Sequence, residues 1–243
     1  MRQRLSAEGL KLRHSKIIFV IVILPILSFL IGSANFYMNQ EVLEGGWFSL
    51  WSQVGLFYGE FFLPILIAIC CAYICRLEHT NQNWNMVMAA PVSISSIYVS
   101  KFVMVSMFIL FAQLVFVGLY WIAGTLLSLQ GSLPVEIIGW TLRGWFASLS
   151  IIAFQLGLSL RFRSFATPIG ISLCAVFFGL FTYSANVGVV FPFSLLTIGL
   201  SVLNQDSLVG VQHFLFWGMN ILFILLFSTI SIRQLKTNDI VSS

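Results

Sequence analysis

The chain has 243 residues, of which 59% are hydrophobic, 15% aromatic and 8% charged, and its mean hydropathy is +0.98. A soluble protein carries roughly 25% charged residues, so the composition excludes a domain that wets itself with its own polar surface. The net charge of +4 is not a nucleic-acid footprint either, because no basic stripe interleaved with aromatics lies beyond the first 16 residues.

The first segment, MRQRLSAEGLKLRHSK, sets Met1, Leu5 and Leu12 on one helical stripe with Arg2, Arg4, Lys11 and Arg13 around the rest. A short helix lying on the inner leaflet fits this pattern, since basic side chains near anionic lipid are worth about 1 kcal/mol each and their stems snorkel. A plain basic anchor is the simpler alternative, because Gly9 interrupts the helix. Apolar stretches follow near 17–38, 54–75, 102–127, 137–160, 165–185 and 213–232. Each is long enough, at about 20 helical residues, to cross a hydrocarbon core of about 30 Å. The fourth reaches that length only by starting before Arg143, near Ile137. The expected fold is therefore all-α: one polytopic transmembrane domain over 1–243 with six spans. The first apolar run continues through Phe36 and Tyr37, too long for a cleaved signal peptide.

Orientation follows from the basic residues, which stay cytoplasmic near span ends. With the N-terminus inside, Arg2, Arg4, Lys11, Arg13, Lys16, Arg76, Lys101, Arg161, Arg163, Arg233 and Lys236 all fall on the cytoplasmic side and only Arg143 does not. Both termini are expected to be cytoplasmic, with Glu41, Glu44, Glu136 and Asp206 outside. Cys70, Cys71, Cys75 and Cys174 lie inside apolar runs, which reads as small buried hydrophobes rather than a disulfide framework.

Between the first two spans, NQEVLEGGWFSLWSQ mixes Glu41 and Glu44 with Trp47, Phe48 and Trp51. An interfacial aromatic belt accounts for these rings; contact with a cationic peptide is the functional alternative. Two charges sit where lipid makes charge expensive, Glu60 in FYGEFF and Arg143 in WTLRGWF. An isolated charge at a helix centre costs roughly 2.5 to 3.5 kcal/mol, so an ion pair between them, snorkelling to the outer headgroups, or a place on a substrate path are the readings. The segment from Asn186 to Gln212 contains FPFSLLTIGL and is expected to form a short outer or re-entrant helix broken at Pro192. A re-entrant helix is permitted only where it is buried in protein or faces water.

The longest cytoplasmic connection, RLEHTNQNWNMVMAAPVSISSIYVSK from 76 to 101, exceeds a minimal helix–helix turn. Thr80, Trp84, Val87 and Met88 recur at helical spacing, His79, Asn81, Gln82, Asn83 and Asn85 cover the other face, and Pro91 limits the run. The result is an amphipathic helix outside the membrane. It either rests on lipid and helix ends or offers Trp84 and Glu78 to a soluble partner, a role in which Trp is favoured as an anchor.

Two stretches carry a resemblance beyond composition: AEGLKLRHSK running directly into a span, and EHTNQNWNMVMAAPVSISSIYVSK between the second and third spans. They resemble permease subunits of ABC-2 type transporters, and more narrowly those of lantibiotic (bacteriocin) immunity and bacitracin-resistance exporters. The resemblance implies that the segment with Leu5, Lys11, Leu12 and Arg13 is an elbow helix. It also implies that the loop with Glu78, His79, Asn83, Trp84, Val87, Met88 and Pro91 supplies a coupling helix seated in a groove of the ATPase. Pro91, Val92, Ser93 and Lys101 match the family's pattern leading into the third span.

The sequence contains no G-x-x-x-x-G-K-[ST] phosphate loop, so ATP and magnesium are expected on a partner ATPase dimer and no cofactor on this chain. The implied partners are that ATPase, a second permease subunit, identical or not, a peptide substrate and the bilayer of a bacterial plasma membrane. The expected function is export of an antimicrobial peptide for self-immunity or resistance. Export of another drug, lipid or polysaccharide by the same machinery is the alternative. An intramembrane enzyme is disfavoured, because there is neither G-x-S-x-G nor H-E-x-x-H and only His213 lies near a span. A secondary transporter would show midplane charges or paired broken helices in a repeat, and no such pair is visible.

Overall fold

The computed structural model describes residues 15–39, 42–43, 46–79, 93–162, 164–205, 208 and 210–237. Among them the chain is all-helical, with six helices long and apolar enough to cross a membrane.

The first span is α1 (Ile17–Met38). Pro25 lies inside it, and the Ser28 hydroxyl donates to the Pro25 carbonyl at 2.8 Å. Its Gly32 sits so close to the second span that a Cβ there would fall on the Val54 backbone. That second span is one long rod made of α2 (Trp47–Gly55), a seven-residue π-helical segment (Leu56–Phe62) and α3 (Leu63–His79). It starts seven residues before the expected position 54. The reason is a buried stripe: Trp47, Leu50, Trp51 and Val54, at i, i+3, i+4 and i+7, all face the protein. Trp47 and Trp51 are thus core residues rather than an interfacial belt. Trp47 packs edge-on against Tyr120, whose hydroxyl donates to the Trp47 carbonyl at 2.6 Å, while Trp51 is 0% exposed. Phe48 is the exposed member of the trio.

The third span, α4 (Ile94–Leu126), also starts earlier than the expected 102. Its first turns read as polar, yet Ile97, Tyr98 and Lys101 are buried there, and the Tyr98 hydroxyl lies 3.1 Å from the Ser228 hydroxyl and 3.4 Å from the Ala153 carbonyl. With α3 running to His79, the connection narrows from 76–101 to 80–93. The remaining spans are α5 (Glu136–Arg161), α6 (Ala166–Ser184) and, after the intervening short helix α7 (Pro192–Leu200), α8 (Val211–Thr237). The start of α5 confirms that the fourth span must begin before Arg143.

Contacts between helix ends show that the spans alternate in direction. At one end Ser15 donates to the Tyr73 hydroxyl at 2.8 Å, the Arg76 guanidinium lies 5.6 Å over the Phe165 ring, and Tyr98 joins α4 to α5 and α8. Lys16, Arg76, Lys101, Arg161, Arg233 and Lys236 belong to this basic end. At the far end Trp47 meets Tyr120 and donates to the Gly131 carbonyl at 3.3 Å, and Phe48 packs on Trp140.

The interior is the rod 47–79 with α5, which packs against α3, α4, α7 and α8. The most apolar stretch of the 47–77 span is 67% buried within the chain, that of 211–236 only 17%. On the outside, α6 presents Phe177, Phe178 and Phe181 and α8 presents Phe214, Ile221, Leu222 and Leu225. Cys70, Cys71 and Cys75 are buried, but Cys174 lies on that exposed face of α6, contrary to the expectation for all four.

Candidate transport site at the re-entrant helix

The charges and polar side chains of the far half converge on α7. Pro192 does not break this helix; it begins it, at the first helical position, where a missing N–H costs nothing. The chain turns back from the end of α6 through a 3-10 turn at Gly188–Val190, runs as α7 and stops at Ser201, which adopts the left-handed conformation at φ 50°. Eight of the nine α7 residues are buried, the condition under which backbone may re-enter at membrane depth.

Close approach explains part of that burial. A Cβ on Gly199 would come within 3.0 Å of the Arg143 carbonyl, and one on Gly144 would overlap the Leu200 side chain. Two glycines therefore let α5 and α7 touch backbone to backbone. Polar contacts with four other elements then pin α7. The Trp51 indole donates to the Leu200 carbonyl at 3.0 Å, Arg143 Nη2 donates to Ser201 Oγ at 3.1 Å, and the Ser194 hydroxyl, beside Thr182, donates to the Gly179 carbonyl at 2.9 Å. From the π segment, the Glu60 carboxyl meets the Thr197 hydroxyl.

Glu60 and Arg143 thus each contact α7 rather than each other. Arg143 stands at the helix's C-terminal end, where a cation is stabilised by the partial negative charge of the last carbonyls. Glu60 is 4% exposed and its Oε1 has no hydrogen-bond partner. The π segment that carries it closes through the Leu63 N–H donating to the Tyr58 carbonyl, five residues back. Such segments are rare and cluster at functional sites. This one is fixed by Tyr58 stacking on Phe116 with centroids 3.9 Å apart, and by Gly59 lying under Leu200.

Against α7, at the far end, lies a cavity of about 230 Å³ between the end of α6, the 3-10 turn and the start of α8. Tyr183, Asn186, Ser201, Asn204 and Gln212 give it a polar wall, and Val189, Ile198 and Leu208 an apolar one. The Tyr183 hydroxyl is within electrostatic reach of Glu60. From sequence Glu60 and Arg143 stood out here, and Trp51 only as a member of an interfacial belt; Tyr183, Thr197 and Ser201 did not, since nothing in an apolar run announces which hydroxyls will face one another. The FPFSLLTIGL segment was the available signal.

Of the coupling residues, Glu78 and His79 close the backbone of α3. Asn83, Trp84, Val87, Met88 and Pro91 lie outside the described residues, as do the elbow residues Leu5, Lys11, Leu12 and Arg13. Other buried polar side chains, Gln113, Gln155 and Asn220, sit in the core of α4, α5 and α8.

Six apolar spans, alternating in direction around a buried re-entrant helix, define a multi-pass membrane protein. Residues 4–179 match the family model described as ABC-2 family transporter protein, and the chain belongs to that family. It is accordingly the membrane subunit of an ABC transporter, whose ATPase is a separate protein. No curated protein matches the chain.

Proposed function

We propose that the chain is a permease subunit of an exporter that removes an antimicrobial peptide of the lantibiotic or bacteriocin type from the bacterial plasma membrane, for self-immunity or resistance. The observation that carries the exporter part is the family match over 4–179 together with the six spans. The peptide part draws its support from the resemblance of the first segment and of the 76–101 stretch to immunity permeases. In this reading the basic end is cytoplasmic and both termini lie inside, in keeping with the placement of eleven of the twelve Lys and Arg residues. ATP and magnesium are held by an ATPase dimer, and a second permease subunit completes the transmembrane unit.

The chain contributes a path and a lever. The helix around Trp84 docks on the ATPase, with Glu78, His79, Asn83, Val87, Met88 and Pro91 shaping the contact, while Leu5, Lys11, Leu12 and Arg13 hold the elbow on the inner leaflet. Movement of the ATPase pushes on the 80–93 connection, and the rods 47–79 and 94–126 tilt with it as near-rigid bodies. Because the far end of the rod 47–79 grips α7 through Trp51 and Glu60, a tilt at the basic end is transmitted to the far-end cavity. Spans so poor in polar groups suit a cargo taken laterally from lipid better than a hydrophilic channel.

The test is copurification. An affinity-tagged chain expressed with the ATPase encoded beside it is expected to bring that ATPase down, while Trp84→Ala and Glu78→Ala lose it with the membrane chain still present. Cells carrying the pair are expected to survive a bacteriocin that kills cells with the Trp84→Ala pair. If the wild type captures no ATPase, the exporter reading falls; if it captures the ATPase without conferring peptide resistance, the peptide reading alone falls.

A further inference from the structure

The basic end does not carry all of its charge in the same way. Lys16 and Lys236 are exposed near helix ends, whereas Arg76 and Arg161 are each set against an aromatic ring. The Arg76 guanidinium lies over the Phe165 ring, and the Arg161 guanidinium over the Phe162 ring at 5.8 Å from its centroid. Both rings belong to the short turn that joins α5 to α6, whose sequence, RFRSF, includes a third arginine, Arg163. Stacking on a ring face fixes the plane of a guanidinium and leaves its N–H edge for an acceptor, and the fork of that edge matches a phosphate. Arg76 and the two rings also share one narrow crevice between the end of α3 and the start of α6, with Ala72, Ser164 and Pro168 on its walls. No acidic residue lies in sequence between Glu60 and Glu78 or between Glu136 and Asp206, so the segments that build the crevice contribute positive charge only.

What lies beyond the crevice narrows the ligand. Toward the far end the same two helices leave an apolar seam: Ile65 and Ile69 of α3 are half-buried, Leu173 and Phe177 of α6 are exposed, and Phe177 meets Phe61 edge-on. From Arg76 to Phe61 the seam runs about 22 Å at the helical rise, more than the roughly 15 Å depth of one leaflet's hydrocarbon. Fixed positive charge at one end and an apolar seam leading away from it match the layout of a phospholipid. A zwitterionic headgroup would bring its own cation against the arginines, and a free phosphate would leave the seam unused. We infer that the crevice between α3 and α6 binds the phosphate of an anionic phospholipid, held by Arg76 on its wall and Arg161 on Phe162, with an acyl chain laid on the seam. This goes beyond the exporter reading and does not depend on the cargo. It sets a lipid at the end of α3, the point from which the 80–93 connection departs.

The experiment uses the full chain in dodecyl maltoside and measures, by native mass spectrometry, the Kd of dioctanoyl phosphatidylglycerol, dioctanoyl phosphatidylcholine and glycerol phosphate. Phosphatidylglycerol is expected to bind about tenfold more tightly than phosphatidylcholine. Arg76→Gln is expected to weaken phosphatidylglycerol about tenfold and Arg161→Gln about threefold, each with phosphatidylcholine unchanged. Arg76→Lys keeps the charge and gives up the stacked fork, so it is expected to fall between wild type and Arg76→Gln, at about a threefold loss. Lys16→Gln and Lys236→Gln change exposed cations of the same end and are expected to keep wild-type affinity. Arg76 and Arg161 are themselves exposed, so their replacement leaves the core intact, and unfolding midpoints of all five variants check that it does. Equal affinity for the two lipids, or wild-type affinity in both Arg76→Gln and Arg161→Gln, overturns the inference. So does an equal loss in the two lysine variants, which would make the attraction a diffuse property of the basic end. Glycerol phosphate bound as tightly as phosphatidylglycerol also overturns it, because the seam would then contribute nothing.

Discussion

Two apolar helices of this protein, α7 and α8, have opposite fates. Eight of nine residues of α7 are buried in protein, whereas the most apolar stretch of α8 is 17% buried and turns Phe214, Leu222 and Leu225 outward. Both are apolar, and lipid tails, as apolar as leucine, exert no pressure to hide one apolar face rather than another. What separates them is shape and the pairing of polar groups. Gly199 lets α7 touch α5, and Ser194, Thr197 and Ser201 each find a partner on a neighbouring element. In a membrane protein the interior is thus defined by close approach and polar pairing, and hydropathy marks only what lies at membrane depth.

Substitutions matched between the two helices' surroundings sharpen this contrast. The largest effect is expected for Trp51→Ala, which removes a fully buried ring and the hydrogen bond to Leu200 and costs about 3 to 5 kcal/mol. Phe214→Ala, at a ring 78% exposed, is expected to stay within about 0.5 kcal/mol; unfolding midpoints in the same detergent compare the two. Similar losses at both sites would break the comparison. Next comes Gly199→Leu, which drives a side chain into the α5 backbone at a cost of about 3 kcal/mol, against Gly218→Leu on α8, where nothing lies within 4 Å of the added Cβ. A smaller loss, about 2 kcal/mol, is expected for Arg143→Gln, which gives up the charged hydrogen bond to Ser201. Ser201→Ala is expected to lose about as much, and the double variant no more than either single one. The smallest effect is one of reactivity alone. A lipid-soluble pyrene maleimide is expected to label Cys174 in intact membranes and to leave Cys70, Cys71 and Cys75 unmodified until the chain is unfolded.

The far end and the basic end were unequally legible. Six spans, their alternation and the need for the fourth to start before Arg143 could all be read from hydropathy and length, and seven of the twelve span boundaries fall within one residue of expectation. The largest misreadings were at polar-looking or aromatic starts. SISSIYVSK looked like loop because its serines look exposed, yet Ser93 precedes the helix and Ile97, Tyr98 and Lys101 face inward. Trp47 and Trp51 looked like a headgroup belt because a tryptophan at a span end usually is one. Their burial depends on Tyr120, Phe116 and Leu200, partners that lie about 70 to 150 residues away in sequence. For the site, Glu60 and Arg143 stood out as charges in apolar runs, but their contacts with α7 required the fold.

By itself the sequence determined that this is a helical membrane protein, where its spans lie, which end is basic and, through the stretches around residues 7–16 and 78–101, its resemblance to ABC-2 permeases. Those properties follow from transfer energies summed along a single helix, and such sums are local. Only the tertiary structure decided that α7 is interior and α8 peripheral, that Glu60 rides on a π segment against Thr197, and that Asn186 and Ser201 share a cavity. Each of those depends on which backbones can approach to van der Waals contact and which hydroxyls then meet, and both are properties of pairs of segments far apart in the chain.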